Sequence, residues 1–124
     1  MTELAPGWKF DLDRGPDWLF VRLRCTDDTQ DSHPPLAENL WNLLRQHFTS
    51  RMVLELDDVN RLRSWTMGQL VNLNQRVSTS GGVLRLCGLS ESNAKALKAS
   101  KLDSCLPVFT DRQEAVGFRP RLPR

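Results

Sequence analysis

The side chains able to do covalent or metal chemistry are few and scattered. His33 and His47 are the only histidines. His33 precedes a Pro pair in a polar loop, and His47 falls near the end of a helical pattern, where a positive charge suits the helix dipole. Neither has a Ser or Cys motif beside it from which a nucleophile and base would be built. No HxH or HxxxH pair offers a metal two ligands from one face. Cys25, Cys87 and Cys105 are far apart with no CxxC; an odd, dispersed set speaks against a disulfide framework and against zinc. Reduced thiols in a cytosol are the expectation, with Cys87, inside the apolar run from Leu84 to Leu89, acting as a small buried hydrophobe. Asp57 and Asp58 adjoin at the end of a strand-like run, so their carboxylates point to opposite sides and do not converge for acid–base work; they are expected to shape a turn. Gly81-Gly82 lacks the Lys-Ser/Thr of a phosphate loop and follows a helix instead of a strand, so it reads as a helix stop. The pattern points away from catalysis, with no cofactor and no metal expected.

The elements that would carry these residues fit one domain of 124 residues. Hydrophobic residues make up 40% and charged residues 26%, and 17 basic against 15 acidic side chains leave a net charge of +2. That balance gives no electrostatic case for nucleic acid or an anionic membrane. Lys95, Lys98 and Lys101, and Arg119, Arg121 and Arg124 in the tail, read as solvated surface. No apolar stretch approaches the roughly 18 residues of a membrane span, and Met1-Thr2-Glu3-Leu4 begins no signal peptide. A cytoplasmic protein without membrane insertion is expected.

Trp8, Phe10 and Leu12 alternate with Lys9, Asp11 and Asp13, which predicts a strand; Arg14-Gly15-Pro16-Asp17 is turn chemistry; and 18–25 reads as a second strand, with Leu19, Val21 and Leu23 on one face and Phe20 and Arg22 on the other. After an acidic loop with Asp27, Asp28 and Asp31, Ser32 is the expected cap of a helix whose first turn holds Pro34 and Pro35. Leu36, Leu40, Leu43, Leu44 and Phe48 supply its inward stripe to about residue 49. Residues 52–56 read as a strand. A helix opens at Ser64 with Met67, Leu70, Val71, Asn74 and Val77 inward and stops at Gly81-Gly82. Residues 83–89 form a third core strand, Ser90 caps a helix to about Ser100, 106–109 is an edge strand, and 111–116 is a last helical stretch. An opening hairpin followed by alternating strands and helices predicts an α/β fold: a mixed sheet of four to five strands with about four helices. Residues 1–117 are expected to form this single domain and 118–124 a frayed basic, Pro-rich tail.

The run Gly81-Gly82-Val83-Leu84-Arg85-Leu86-Cys87-Gly88-Leu89-Ser90, followed by Ala96-Leu97, Lys101-Leu102-Asp103, Leu106-Pro107-Val108-Phe109 and Glu114-Ala115, resembles the STAS domain. This is the fold of anti-sigma-factor antagonists and of the cytoplasmic tails of sulfate transporters. The resemblance covers roughly residues 8–117. It implies that the turn after the Val53-Leu54-Glu55-Leu56-Asp57-Asp58-Val59 segment is the functional spot. There the family carries the serine that a cognate anti-sigma-factor kinase phosphorylates, and Ser64 falls on it. Arg63 stands where Asp is usual, Trp65 where a small residue is usual and Thr66 where Gly is usual.

A serine at a helix start ordinarily accepts a hydrogen bond from an unpaired backbone N–H, worth about 1 kcal/mol. A phosphate there would add a charge of about −1.5 to −2 where the dipole favours an anion, with Arg63 as a partner, and would repel or block whatever docks on the turn. Trp65, in the first turn, is expected to be largely exposed as a binding anchor, or else to fold over Leu62 or Leu36 as a cover. The resemblance therefore implies a regulator that binds an anti-sigma factor, serine kinase or scaffold protein through Arg61–Gly68 and the following helix. Arg61, Arg63, Ser64, Trp65, Thr66 and Gln69 would be the contacts, Ser64 the phosphorylation candidate, and a homodimer possible. The alternatives are a non-switching STAS subunit of a transporter ATPase complex or signalling scaffold, and a small-ligand or nucleotide-binding module.

Overall fold

The computed structural model describes residues 2–25 and 34–116. Its first element is one that periodicity did not announce: β1 (Thr2–Ala5) folds back over Pro6-Gly7 onto β2 (Trp8–Arg14), with Ala5 opposite Trp8. β2 then pairs antiparallel with β3 (Leu19–Cys25) along its whole length, from Trp8 opposite Cys25 to Arg14 opposite Leu19. This is the expected hairpin. The acidic loop, His33 and the expected cap Ser32 lie outside the described residues, as does the tail from 117 on. Helix α1 (Leu36–Gln46) has Pro35 at its N-cap position, so both prolines precede the helix and neither sits in its first turn. There follow β4 (Arg51–Asp58), α2 (Ser64–Thr79), β5 (Val83–Cys87), α3 (Glu91–Ala99), β6 (Val108–Phe109) and α4 (Arg112–Ala115). Leu106 and Pro107 fall outside β6, which keeps only two residues of the expected edge strand.

The sheet runs β1-β2-β3-β4-β5-β6, antiparallel from β1 to β3 and parallel from β3 to β6. It has six strands where four to five were expected, and β1 is the addition. Successive side chains of a strand face opposite sides. One side, with Leu19, Val21 and Leu23 of β3 and Met52, Leu54 and Leu56 of β4, packs on Leu40 and Leu44 of α1, Leu70 and Leu73 of α2 and Leu97 of α3. Each such leucine contributes roughly 1.5–3 kcal/mol by leaving water. The opposite side holds a smaller cluster, Phe20, Val53 and Cys87 under Ala115 of α4. On α2, Met67, Leu70 and Val77 are buried as expected and Val71 is partly buried against the core, while Thr66 and Leu73 join the buried stripe and Asn74 does not. Asn74 instead donates its amide to the Cys105 carbonyl at 2.9 Å.

Three helices end in the same motif, a residue of left-handed backbone after the cap and two backward hydrogen bonds. After α2 it is Gly81 (φ 87°), with Gly81 N–H donating to Ser78 O and Gly82 N–H to Val77 O. After α3 it is Lys101 (φ 61°), bonded to Lys98 O, with Leu102 bonded to Leu97 O. After α1 it is Phe48 (φ 53°), bonded to Arg45 O, with Thr49 bonded to Leu44 O. The helical spacing counted Phe48 as the last inward residue of α1. The helix ends at Gln46, and the left-handed step swings the ring outward, leaving it 93% exposed.

Candidate functional site

The loop from Val59 to Arg63 joins β4 to α2 and fixes where the helix begins. Val59 and Leu62 plug into the core. Between them works a residue from another element. Asn93 of α3 is 1% exposed; its Oδ1 accepts the Leu62 N–H at 2.9 Å and its Nδ2 donates to the Val59 carbonyl at 2.9 Å. Its own backbone N–H donates to Ser90 Oγ at 3.1 Å, the expected cap of α3. A buried amide bonded through both its oxygen and its nitrogen holds the loop in one shape.

The N-cap position of α2 belongs to Arg63, in extended backbone (φ −93°, ψ 164°), and no side chain caps the helix there. Ser64 is the first helical residue, exposed, and not the capping residue that a serine at a helix start suggests. The backbone of Arg63 still accepts the first helical bond, from Met67 N–H at 2.9 Å. The N–H groups of the first turn thus point outward beside Ser64, where the helix dipole favours an anion. Trp65 is 40% exposed, and its indole N–H donates to Pro34 O at 3.3 Å, tying α2 to the start of α1. Of the remaining sequence candidates, Arg61 and Arg63 lie on the surface. Thr66 is 2% exposed and faces the core. Gln69 turns to α1, where its Oε1 accepts the Ala37 N–H at 2.9 Å and supplies the cap that Pro35 does not. The structure therefore brings Arg61, Arg63, Ser64 and Trp65 together on one surface, buries Thr66 and leaves Gln69 half-buried against α1.

The STAS domain family model matches residues 22–115. The chain belongs to the STAS domain family. A Thermotoga maritima protein named as an anti-sigma factor antagonist is 28% identical over 67 residues, 54% of this chain, and the match spans only 59% of that relative's length. A crystal structure of an anti-sigma factor antagonist from Thermotoga maritima superposes with a TM-score of 0.72 at 18% identity, covering 87% of this chain and 92% of that one. The anti-sigma factor antagonist SpoIIAA in its unphosphorylated form gives 0.65 at 15% identity, covering 87% and 93%. The phosphorylated form of SpoIIAA from Bacillus gives 0.58 at 14% identity, covering 88% and 97%. At these identities the solved structures share the fold.

In this STAS domain Gly68 stands one turn beyond Ser64 on the exposed side of α2, and a Cβ built there meets nothing within 4 Å. Sequence reasoning took Gly68 only as the end of the Arg61–Gly68 stretch and passed over Asn93. The signal for Asn93 was its place four residues before Leu97, on the inward side of α3. Cys25, Cys87 and Cys105 are free thiols. Burial pushes the Cys87 thiol up to about 12, with Glu55 and Asp57 adding to it. Asp58 lies 3.9 Å from both Arg22 and Arg24. Among the described residues no three His, Cys, Asp or Glu side chains gather to hold a metal ion, and no helix is long and apolar enough to cross a membrane.

Proposed function

We propose that this STAS domain is a non-enzymatic regulator of the anti-sigma-factor-antagonist type. It docks the loop at Arg61–Arg63 and the first turn of α2 on an anti-sigma factor or serine kinase, and phosphorylation of Ser64 releases it. The observation that carries the reading is Ser64 itself: exposed at the first position of a 16-residue helix whose N-terminus no side chain caps. A phosphate there gains the helix N–H groups and dipole, so modification leaves the domain folded and changes only what can dock. Trp65 beside it offers a half-exposed ring held in place by Pro34, and Gly68 lets a partner backbone approach α2 closely. The relative named as an anti-sigma factor antagonist, and a fold-mate solved with and without phosphate, support the same reading.

A second reading is favoured by the bulk of Trp65 next to Ser64: a constitutive docking subunit of a scaffold or transporter ATPase complex whose serine is never modified. One experiment separates them. The wild type, Ser64→Asp and Trp65→Ala are each titrated against the anti-sigma kinase of the same genome, and intact mass is read after incubation with ATP. One added phosphate on the wild type and lost binding in Ser64→Asp establish the switch. An unmodified wild type whose binding survives Ser64→Asp but fails in Trp65→Ala establishes the constitutive subunit. Failure to bind in every form overturns the anti-sigma-factor-antagonist reading.

A further inference from the structure

At the other end of the sheet Phe48 occupies a position that its own domain gives no reason for. The left-handed slot after a helix favours glycine, and a side chain there is strained. Lys101 accepts the same strain while its ammonium stays in water. Phe48 combines the strain with a ring that is 93% exposed, more than any other large apolar side chain among the described residues. Both costs are local and neither is returned within the domain. The loop is nevertheless pinned: Arg14 Nη1 donates to His47 O at 2.6 Å, Arg51 N–H donates to Thr49 Oγ1 at 3.3 Å, and Val83 N–H donates to Ser50 O at 2.8 Å. An aromatic ring on a pinned backbone leaves only its side-chain rotamers to be ordered on binding, a property that suits an interface anchor.

The surroundings state what would accept it. Phe48 borders an open hollow of about 430 Å³ with Arg14, Pro16, Asp17 and Arg51. Arg45 lies in the last turn of α1 just before it. Among the described residues, Arg14, Arg45 and Arg51 form no ion pair. We propose that Phe48 and these three arginines form a second docking surface, for a partner protein that presents an apolar face bordered by carboxylates. An anionic membrane fits less well, because three cations fall short of the clusters of about four to eight that hold a segment on one. A second copy fits less well, because the other exposed ring among the described residues, Trp65, is flanked by Arg61 and Arg63. β4 runs from Arg51 beside Phe48 to Asp58 before the Ser64 loop, so the two surfaces stand roughly 25 Å apart along the strand. One domain can then hold two partners at once, and the proposal does not depend on Ser64 being a switch.

The test uses two pools of helical peptides with one Leu/Met face, flanked by Glu in the first and by Lys in the second. The wild type should bind the Glu pool about tenfold more tightly than the Lys pool, and Phe48→Gly should lose about tenfold, the scale of an interface anchor. Arg45→Glu should weaken Glu-pool binding severalfold, and Ser64→Asp should leave it unchanged. The melting temperature of Phe48→Gly should equal or exceed that of wild type, because the left-handed strain is gone. The proposal is overturned by equal affinity for both pools, by binding that survives Phe48→Gly, or by a lower melting temperature in that variant. Phe48-dependent self-association in sedimentation velocity, or Phe48-dependent binding to phosphatidylserine vesicles without peptide binding, overturns it in favour of a second copy or a membrane.

Discussion

Asn93 Oδ1 lies 2.9 Å from the Leu62 amide nitrogen, two residues before Ser64, and thereby couples α3 to the start of α2. Replacing Asn93 by Ala strands the Leu62 N–H and the Val59 carbonyl in the core. Each stranded group costs about 1–3 kcal/mol, so chemical denaturation should show a loss of about 2–6 kcal/mol. Amide exchange at Leu62 should rise more than in the central strand β4. Uniform acceleration across the whole domain would show that Asn93 serves general stability and not this loop.

Gly68→Ala should stabilise the domain by about 0.5–1 kcal/mol, since glycine in an exposed helix interior is less favourable than alanine and the site has open space. If α2 docks as proposed, the same change weakens partner binding measured by calorimetry. A variant that is more stable and binds as well as wild type would remove Gly68 from the contact surface.

The buried carboxylate of Glu55 is held by Arg112, Nε to Oε2 at 2.7 Å and Nη2 to Oε1 at 3.0 Å, while Arg112 Nη1 reaches Asp13 at 2.7 Å and its guanidinium carbon lies 4.1 Å from the Phe20 ring centre. The hydrogen bond to Glu55 holds the Arg112 guanidinium above its ordinary pKa, so it stays charged throughout. Arg112→Met should cost about 2–3 kcal/mol, less than removing a partner from a fully enclosed pair, because Arg22 remains 3.7 Å from Glu55. Adding Glu55→Leu to Arg112→Met should recover most of the loss in urea unfolding, as no buried charge is then left unpaired, Asp13 being exposed to water.

Cys87 should make stability fall at high pH. The folded thiol is pushed up to about 12 from 9.0, chiefly by burial, so the folded state binds this proton more tightly than the unfolded chain. Its contribution is complete below about pH 9 and is lost as pH rises through about 12. Cys87→Ala should remove that part of the alkaline decline. In a timed alkylation read by mass spectrometry, the exposed Cys105 should react first, Cys25 later, and Cys87 only when the domain unfolds.

Most elements were legible because their apolar spacing was long enough to set a period. β2, β3 and β5 and helices α2 and α3 follow the pattern to within a few residues. β1 escaped because four residues do not establish an alternation; the Pro6-Gly7 pair, with Gly7 at φ 84°, was its only local mark. Ser64 was placed correctly as the opening residue of α2, but spacing does not distinguish a cap from the residue after it. Thr66 and Gln69 were read as surface contacts because neighbours of an exposed turn appear exposed in one dimension. The partner of Gln69 lies 32 residues away, a relation no local pattern holds. Phe48 misled in the opposite sense: its spacing from Leu44 was helical, yet the chain had already left the helix.

The six strands lie side by side in the order in which they are made. Every strand after the first therefore finds its neighbour already present when it leaves the ribosome, and each closure spans only the one connection to the strand before it, which limits the entropy of closure. Such a sheet can grow in one direction during synthesis, with no strand waiting for a later one, and the two-residue β6 is the last to join.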